Sequence, residues 1–406
     1  MLDHVTVRPI LADELKPVAH LRAAGFGTNQ KKTLASLKRN PRYNFSHMIV
    51  AEYEGEMIGT ATVFPAQMWL SGVPVSVGAV AGVTVLPKYR RRGVAAKMME
   101  FLIMRMFAES RAMSVLFPFS HKYYRKFGYG TISDIHAYRF NPHNLIVFVE
   151  GHKVRPFEPD DLPTMRVLYK GQSTWHNGWF TRSNDWWDKI IDSWPNIMVF
   201  DNDGMVEGYY AYEIKSNQAG ERVMEIKEFF ATDDAAYRGL IGYLAAQNES
   251  DVIEYLAPPD TPLRHALRQP QADGAENRGW IFNDLCHITP ALMGRIINLP
   301  AALTARFYNR GMSGERTLKV TDPLIPTNEE PLVFRLVDGR AETRPLDGEK
   351  IQIETDIATM SQFLCGYLTA VDARRLGRLQ ADEDTCSWLD KAIQDTPLYV
   401  QAGDWF

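Results

Sequence analysis

This chain has little cysteine, little charge imbalance and no long apolar run. Its three cysteines, Cys286, Cys365 and Cys386, are far apart, odd in number and form no Cys-x-x-Cys pair. That spacing argues against a disulfide framework or a zinc site. It leaves them as small buried hydrophobes, expected in a reducing, cytoplasmic setting. A formal charge of −4 gives no electrostatic footprint for nucleic acid. No uninterrupted apolar stretch approaches the ~20 residues of a membrane span. The first residues lack the charged-then-apolar pattern of a secretory leader. The expectation is a soluble protein with no metal, no nucleic acid and no membrane partner. What is present is ordinary for a globular chain: 45% hydrophobic and 23% charged residues. A length of 406 residues implies two or three domains.

The most informative stretch is 83–99. Val83 and Val85 are β-branched, with apolar Ala81 and Leu86 beside them, and Pro87 ends the strand they predict. From Val94 onward, Ala95-Ala96-Lys97-Met98-Met99 predicts a helix. Between them stand Arg90, Arg91, Arg92 and Gly93. A strand-to-helix turn aims free amides and a positive dipole end at one point, and the cationic side chains add to that field. Gly93 removes a side chain where an anion must approach the backbone. The bland alternative is a solvated basic turn.

The rest of the first 150 residues predicts a mixed α/β unit. It has a first strand at Val5–Pro9, a helix capped by Asp13, and a hairpin at 47–64 turning near Glu54-Gly55-Glu56. A strand follows at Val115–Phe119 and a short helix at about 120–127. A second unit begins near Val154-Arg155-Pro156, echoing Val7-Arg8-Pro9, which suggests an internal duplication. Its strands at 206–214 and 223–231 lead into Thr232-Asp233-Asp234. Two aspartates there would repel an anion, so this copy is expected to have lost its ligand. Trp175, Trp179, Trp186, Trp187 and Trp194 suit core packing better than a ligand cage. Proline-rich stretches at 258–270 and 323–331 bracket a change of character. Period-2 strands near 333–344 and 351–356, a helix at 357–368, a short edge at 376–380 and a helix at 386–393 complete a third unit.

Arg90-Arg91-Arg92-Gly93-Val94-Ala95 resembles the Arg/Gln-x-x-Gly-x-Gly/Ala pyrophosphate loop of the GNAT N-acetyltransferases. Tyr124-Arg-Lys-Phe127-Gly128-Tyr129 is similar to their Tyr-x-x-Phe-Gly-Tyr motif. The third unit resembles the sterol-carrier-protein fold. Two GNAT-like units followed by a sterol-carrier-like unit, with a C-terminus ending in Phe, is the layout of the enhanced-intracellular-survival (Eis) family. The resemblance implies three parts: 1–150, a GNAT domain binding acetyl-CoA; 151–290, a degenerate GNAT-like domain; and 291–406, a sterol-carrier-like α+β domain.

By that resemblance the backbone of Val83 and Val85 pairs with the pantetheine arm. Arg90, Arg91, Arg92, Gly93, Val94, Ala95 and Ala96 grip the pyrophosphate, and Phe119 and Ser120 flank the cofactor. Tyr124 is the implied general acid, since a phenol of reference pKa ~10 can protonate a departing thiolate. Tyr123 is expected on another helix face. The implied base is the α-carboxylate of Phe406. Asp404, close to it in sequence, is expected to attract a cationic acceptor. The implied activity is acetyl transfer to a primary amine of the aminoglycoside, polyamine or lysine type. A homo-oligomer, a hexamer, is also implied. The rivals are a lipid carrier built on the third unit and a CoA-binding regulator without turnover.

Overall fold

A computed structural model describes Leu2 and residues 4–272, 277–278, 282–393 and 396–406. The chain opens with β1 (Thr6–Pro9), α1 (Leu15–Phe26), α2 (Gln30–Arg39), β2 (Met48–Tyr53), β3 (Glu56–Leu70) and β4 (Val73–Val85). Next come α3 (Val94–Ala108), β5 (Met113–Leu116), α4 (His121–Arg125), β6 (Gly130–Thr131) and β7 (Asp134–Phe140). The middle of the chain holds β8 (Val154–Pro156), α5 (Leu162–Ser173), α6 (Asn184–Ser193), β9 (Asn196–Asn202), β10 (Met205–Ser216) and β11 (Arg222–Ala231). It continues with α7 (Asp234–Ala246), β12 (Val252–Ala257), β13 (Asn277–Arg278), β14 (Phe282–Asn283), β15 (Cys286–Pro290) and β16 (Met293–Ile296). The last part holds α8 (Leu299–Thr304), β17 (Gly314–Thr321), β18 (Leu332–Val337), β19 (Arg340–Pro345) and β20 (Ile353–Asp356). It closes with α9 (Ile357–Leu364), α10 (Ala370–Arg375), β21 (Leu379–Gln380) and α11 (Glu383–Ala392).

Three mixed sheets organise these elements, as expected for an α/β chain. The first runs β1-β2-β3-β4-β5-β16-β6, the second β15-β7-β12-β11-β10-β9-β8, and the third β19-β18-β17-β20-β21. In the first two, one parallel pair, β4–β5 or β11–β12, interrupts an otherwise antiparallel sheet. The duplication extends to side chains. Arg8 bridges Glu14 and Glu52 in one copy, and Arg155 bridges Asp161 and Asp201 in the other. Each arginine thereby pins its first strand to the next strand and to the turn before its helix.

The sheets do not follow the expected divisions at 150 and 290. β7 belongs to the second sheet, and β16 inserts between β5 and β6 of the first. Periodicity identifies a strand but not its partner, and both exchanges join residues far apart in the chain. Asp13 does not cap α1. It lies in the 3-10 turn Ala12–Glu14, where the Glu14 carboxylate accepts the Leu11 amide at 2.7 Å. In the third unit Asp356 starts α9 by accepting the Thr359 amide. Trp179, Trp186, Trp187 and Trp194 share one buried cluster with Met165 and Tyr169, so they pack as a core, while Trp175 is exposed. Among the described residues no helix is long and apolar enough to cross a membrane.

Candidate active site

The site begins where two parallel strands part. β4 pairs with β5 from Val77–Met113 to Val80–Leu116, then runs on alone to Val85. On its other side the register with β3 slips between Thr60–Thr84 and Thr62–Ala81. The extra residue makes a bulge at Gly82 and Val83. Gly82 has φ +61°, and a Cβ there would lie 2.7 Å from the Arg22 guanidinium, so only glycine fits. Beyond the bulge the Leu86 amide donates to Ile58 at 2.9 Å. Antiparallel alternation therefore turns the Val85 peptide away from β3, into the open wedge. There the Val85 carbonyl accepts Arg90 Nε at 3.2 Å.

The turn after β4 is built for an anion. Arg91 (φ 60°) and Gly93 (φ 90°) are both left-handed. Gly93 is the N-cap of α3 and offers no side-chain cap. By contrast, Asn29, Ser120, Ser183, Asp233, Asn298, Asp356, Thr369 and Asp382 each cap a helix with a side-chain oxygen. The helices α1 and α5 continue 3-10 turns. At α3 the first amides therefore keep their donors for a ligand. The small residues Ala95 and Ala96 and the cations Arg90 and Arg91 border them.

A cavity of about 570 Å³ fills this wedge. Val83, Val85, Arg90, Arg91, Gly93, Val94, Ala95, Ala96 and Phe119 line it, so nine of the sequence-derived contacts come together. Arg92 and Ser120 do not. Arg92 turns its carbonyl to the Leu2 amide at 3.1 Å. The Ser120 hydroxyl accepts the Tyr123 amide at 3.3 Å and so caps α4. Gly25, Phe26, Thr84, Tyr89 and Tyr123 also line the cavity, and sequence reasoning missed them. For Tyr123 the helical offset from Tyr124 argues against a shared site. Because α4 starts right at the open wedge, it nevertheless presents the Tyr123 ring to the cavity, whereas Tyr124 packs against Phe119 and is not among the lining residues. The Tyr123 hydroxyl is buried without a partner among the described residues, and burial pushes its pKa up to about 12.

Tyr124 is buried edge-on to Phe119, with ring centroids 5.2 Å apart, and against Tyr129 at 6.0 Å. Burial pushes its phenol well above the usual range, with Tyr129 and Tyr123 adding smaller effects. The group is a neutral proton donor throughout the physiological range. His121 is exposed at the start of α4.

The C-terminal tail returns to the end of β5. The Phe406 ring lies 5.2 Å from Phe117, the residue after β5, and 6.0 Å from Phe180. Arg42, in the segment after α2, donates to the carbonyls of Asp404 (3.1 Å) and Trp405 (2.9 Å). Its guanidinium stacks 3.5 Å from the Trp186 ring centre. Burial lowers its pKa to about 10, against the pull of Asp404. Asp404 does not meet an acceptor, as its place in the sequence suggests. Its carboxylate is 1% exposed and accepts Arg182 Nε at 3.0 Å, the Tyr169 hydroxyl at 3.0 Å and Trp186 Nε1 at 2.9 Å. Arg182 also forks onto Glu228 at 2.9 and 2.6 Å. A carboxylate so buried needs a cation and several donors, and the interior of the second unit supplies them.

The second unit repeats the wedge without the anion turn. β11 leaves β12 after Ile226–Tyr255 and runs on to Ala231. Asp233 Oδ1 accepts the Ala236 amide at 2.8 Å, so a carboxylate of the chain itself occupies the start of α7.

Residues 6–132 and 178–296 each match an acetyltransferase (GNAT) domain family, and residues 299–401 match a sterol carrier protein domain family. An uncharacterized N-acetyltransferase of Streptomyces griseus is 23% identical over 352 residues, covering 79% of this chain and 84% of its own. Another, from Streptomyces avermitilis, is 23% identical over 420 residues, covering 97% of each. The fold is similar to a GCN5-related N-acetyltransferase from Anabaena variabilis (TM-score 0.87, 18% identity, covering 99% of this chain and 100% of that one). It is also similar to Eis1 from Mycobacterium abscessus (TM-score 0.78, 19% identity, covering 99% and 100%). GNAT domains use acetyl-CoA as co-substrate. With two GNAT acetyltransferase domains and a closing sterol carrier protein domain, the chain is an acyltransferase of the GNAT type.

Proposed function

We propose that the protein transfers acetyl from acetyl-CoA directly to a primary amine, with Tyr124 as general acid and the Phe406 α-carboxylate as general base. The observation that carries this reading is the placement of the Phe406 ring at Phe117, where β4 and β5 part. Bound acetyl-CoA supplies the acetyl group and a thiolate leaving group. The open amides of α3, with Arg90 and Arg91, hold its pyrophosphate. The free edge of β4 at Val83 and Val85 holds its pantetheine arm. The Val83 bulge turns backbone donors toward the thioester carbonyl, where negative charge develops. The Phe406 carboxylate takes a proton from the attacking ammonium, through a water or directly. The Tyr124 hydroxyl gives one to the sulfur, and the second proton leaving the acylated nitrogen returns to the Tyr124 phenolate, so the new amide leaves neutral. Arg42 and Asp404 keep the base in place. The acceptor is a polyamine, an aminoglycoside or a lysine side chain. The same reading carries a cytoplasmic homohexamer, which light scattering checks.

The test is CoA release from acetyl-CoA with a panel of polyamines, aminoglycosides and lysine peptides. Wild type is run beside Tyr124→Phe, Tyr123→Phe and a chain lacking Phe406. General acid or base catalysis contributes about 10²–10⁴-fold. Losses of that size in Tyr124→Phe and in the truncated chain, with CoA binding retained, support Tyr124 as the acid and Phe406 as the base. A loss confined to Tyr123→Phe moves the acid to Tyr123. Tight CoA binding with no turnover on any amine overturns the reading in favour of a regulator.

A further inference from the structure

The second wedge lost its anion turn but kept a cavity. It has about 180 Å³, against about 570 Å³ in the first. It lies where β11 parts from β12, and the tail segment 397–401 closes it. Tyr399 donates its hydroxyl to the Leu256 carbonyl at 2.6 Å and its amide to Asn177 at 3.0 Å, which seats that segment.

The chemistry of the cavity is opposite to that of the first. Arg90 and Arg91 line the first; neither lysine nor arginine lines the second. Aromatic rings make its walls: Trp179, Phe229, Tyr237 and Tyr255. Aromatic faces carry negative potential and attract cations. His176 stacks on Trp179 with centroids 4.5 Å apart, and burial lowers its pKa against the pull of Asp260, so it is neutral near pH 7. Asn177 and Thr261 also line it but are bonded within the chain, Asn177 to the Ser71 amide and the Thr396 carbonyl and Thr261 to the Leu263 amide; two further polar side chains can meet a ligand. The Asp260 carboxylate stands exposed at the rim. Gln401 lines the cavity, is only 4% exposed, and its Oε1 has no hydrogen-bond partner among the described residues. An unpaired buried acceptor is costly, and a donor arriving with a ligand relieves that cost.

We propose that this second cleft binds a small organic ammonium ion, held by the aromatic walls, the Gln401 amide oxygen and the Asp260 carboxylate. It is too small for a nucleotide, and Asp233 already fills the position a phosphate would take. Gln401 belongs to the same tail that carries Phe406, and its carbonyl accepts the Asp404 amide at 2.9 Å. The site therefore sits in line with the anchored end of the chain. The inference does not depend on the reaction proposed above.

The test uses the full chain and tetramethylammonium, which has no N–H to acetylate, with tert-butanol as its neutral counterpart at constant ionic strength. Titration calorimetry and saturation-transfer NMR read the binding. The expected result is saturable binding of tetramethylammonium at one site per chain, with tert-butanol binding at least fivefold more weakly. Asp260→Asn, an exposed change that spares the fold, and Gln401→Met should each weaken binding at least fivefold, and Tyr124→Phe should not. The proposal is overturned by the absence of saturable binding, by equal binding of tert-butanol, by indifference to both Asp260→Asn and Gln401→Met, or by loss in Tyr124→Phe.

Discussion

Asp404→Asn should release the C-terminal tail while leaving the cofactor cleft intact. The wild-type carboxylate accepts bonds from Arg182, Tyr169 and Trp186 in a site where Arg182 and Glu228 are fully buried. Asparagine keeps one acceptor oxygen but turns an NH₂ toward groups that are themselves donors. Removing one partner of a buried ion pair costs about 3–5 kcal/mol. Arg182 retains Glu228, which favours the lower end of that range. At 1.36 kcal/mol per tenfold, a cost of about 3 kcal/mol shifts the docked-to-undocked ratio of the tail by about 10². The loss falls on the tail rather than on the whole fold. Among the described residues, what otherwise holds residues 402–406 is two bonds from Arg42, the Asp404 amide bond to Gln401, the Trp405 bond to Val400 and the ring contacts at Phe117 and Phe180.

Carboxypeptidase digestion followed by intact mass reads this directly. When cleavage is slow against redocking, trimming tracks the undocked population, so release of Phe406 should accelerate by about 10². Turnover should fall alongside it, while the KM for acetyl-CoA stays unchanged, because no cleft residue has moved. Trimming within threefold of wild type would refute the anchoring argument, whatever happens to turnover.

Gly93→Ala places a Cβ on a residue with φ 90° at the mouth of the anion turn. Strain of about 1–2 kcal/mol, or relaxation of the turn to escape it, should weaken CoA at least tenfold by calorimetry. Asp233→Ala removes the cap of α7 and should cost about 1 kcal/mol in denaturant unfolding, with acetyl transfer unaffected. Alkali should destabilise the fold. Burial holds the phenols of Tyr169, Tyr209 and Tyr255 well above their ordinary value. Their effect is absent below about pH 10, where folded and unfolded tyrosines are both protonated. Above it the unfolded state alone ionises, and each such tyrosine costs about 1.4 kcal/mol per pH unit. Urea midpoints should be flat from pH 8 to 9.5 and fall steeply beyond pH 10.

What the sequence discloses is what lies close together in it. The anion turn is legible because strand, left-handed Gly93 and uncapped helix fall within 83–99, and each has its own local signature. The duplicated opening is legible because Arg8 and Arg155 sit in the same short grammar, and both make the same bonds. The insertion of β16 between β5 and β6 is not legible, because a four-residue strand carries a period but no address. Asp404 shows the same limit in chemistry. Read in the tail alone, it is the charge nearest Phe406, and so it looks like a contact for a cationic acceptor. In the fold the cation it meets is Arg182, 222 positions earlier. Residues 402–404 form a 3-10 turn, so Asp404, the neighbour two residues before Phe406, faces the interior while the Phe406 ring reaches Phe117. That neighbour must be tied down to hold the terminus against fraying. The acidic side chain that looked like substrate recognition is thus the counterpart of the terminal group: it holds the tail so that Phe406 stays against Phe117.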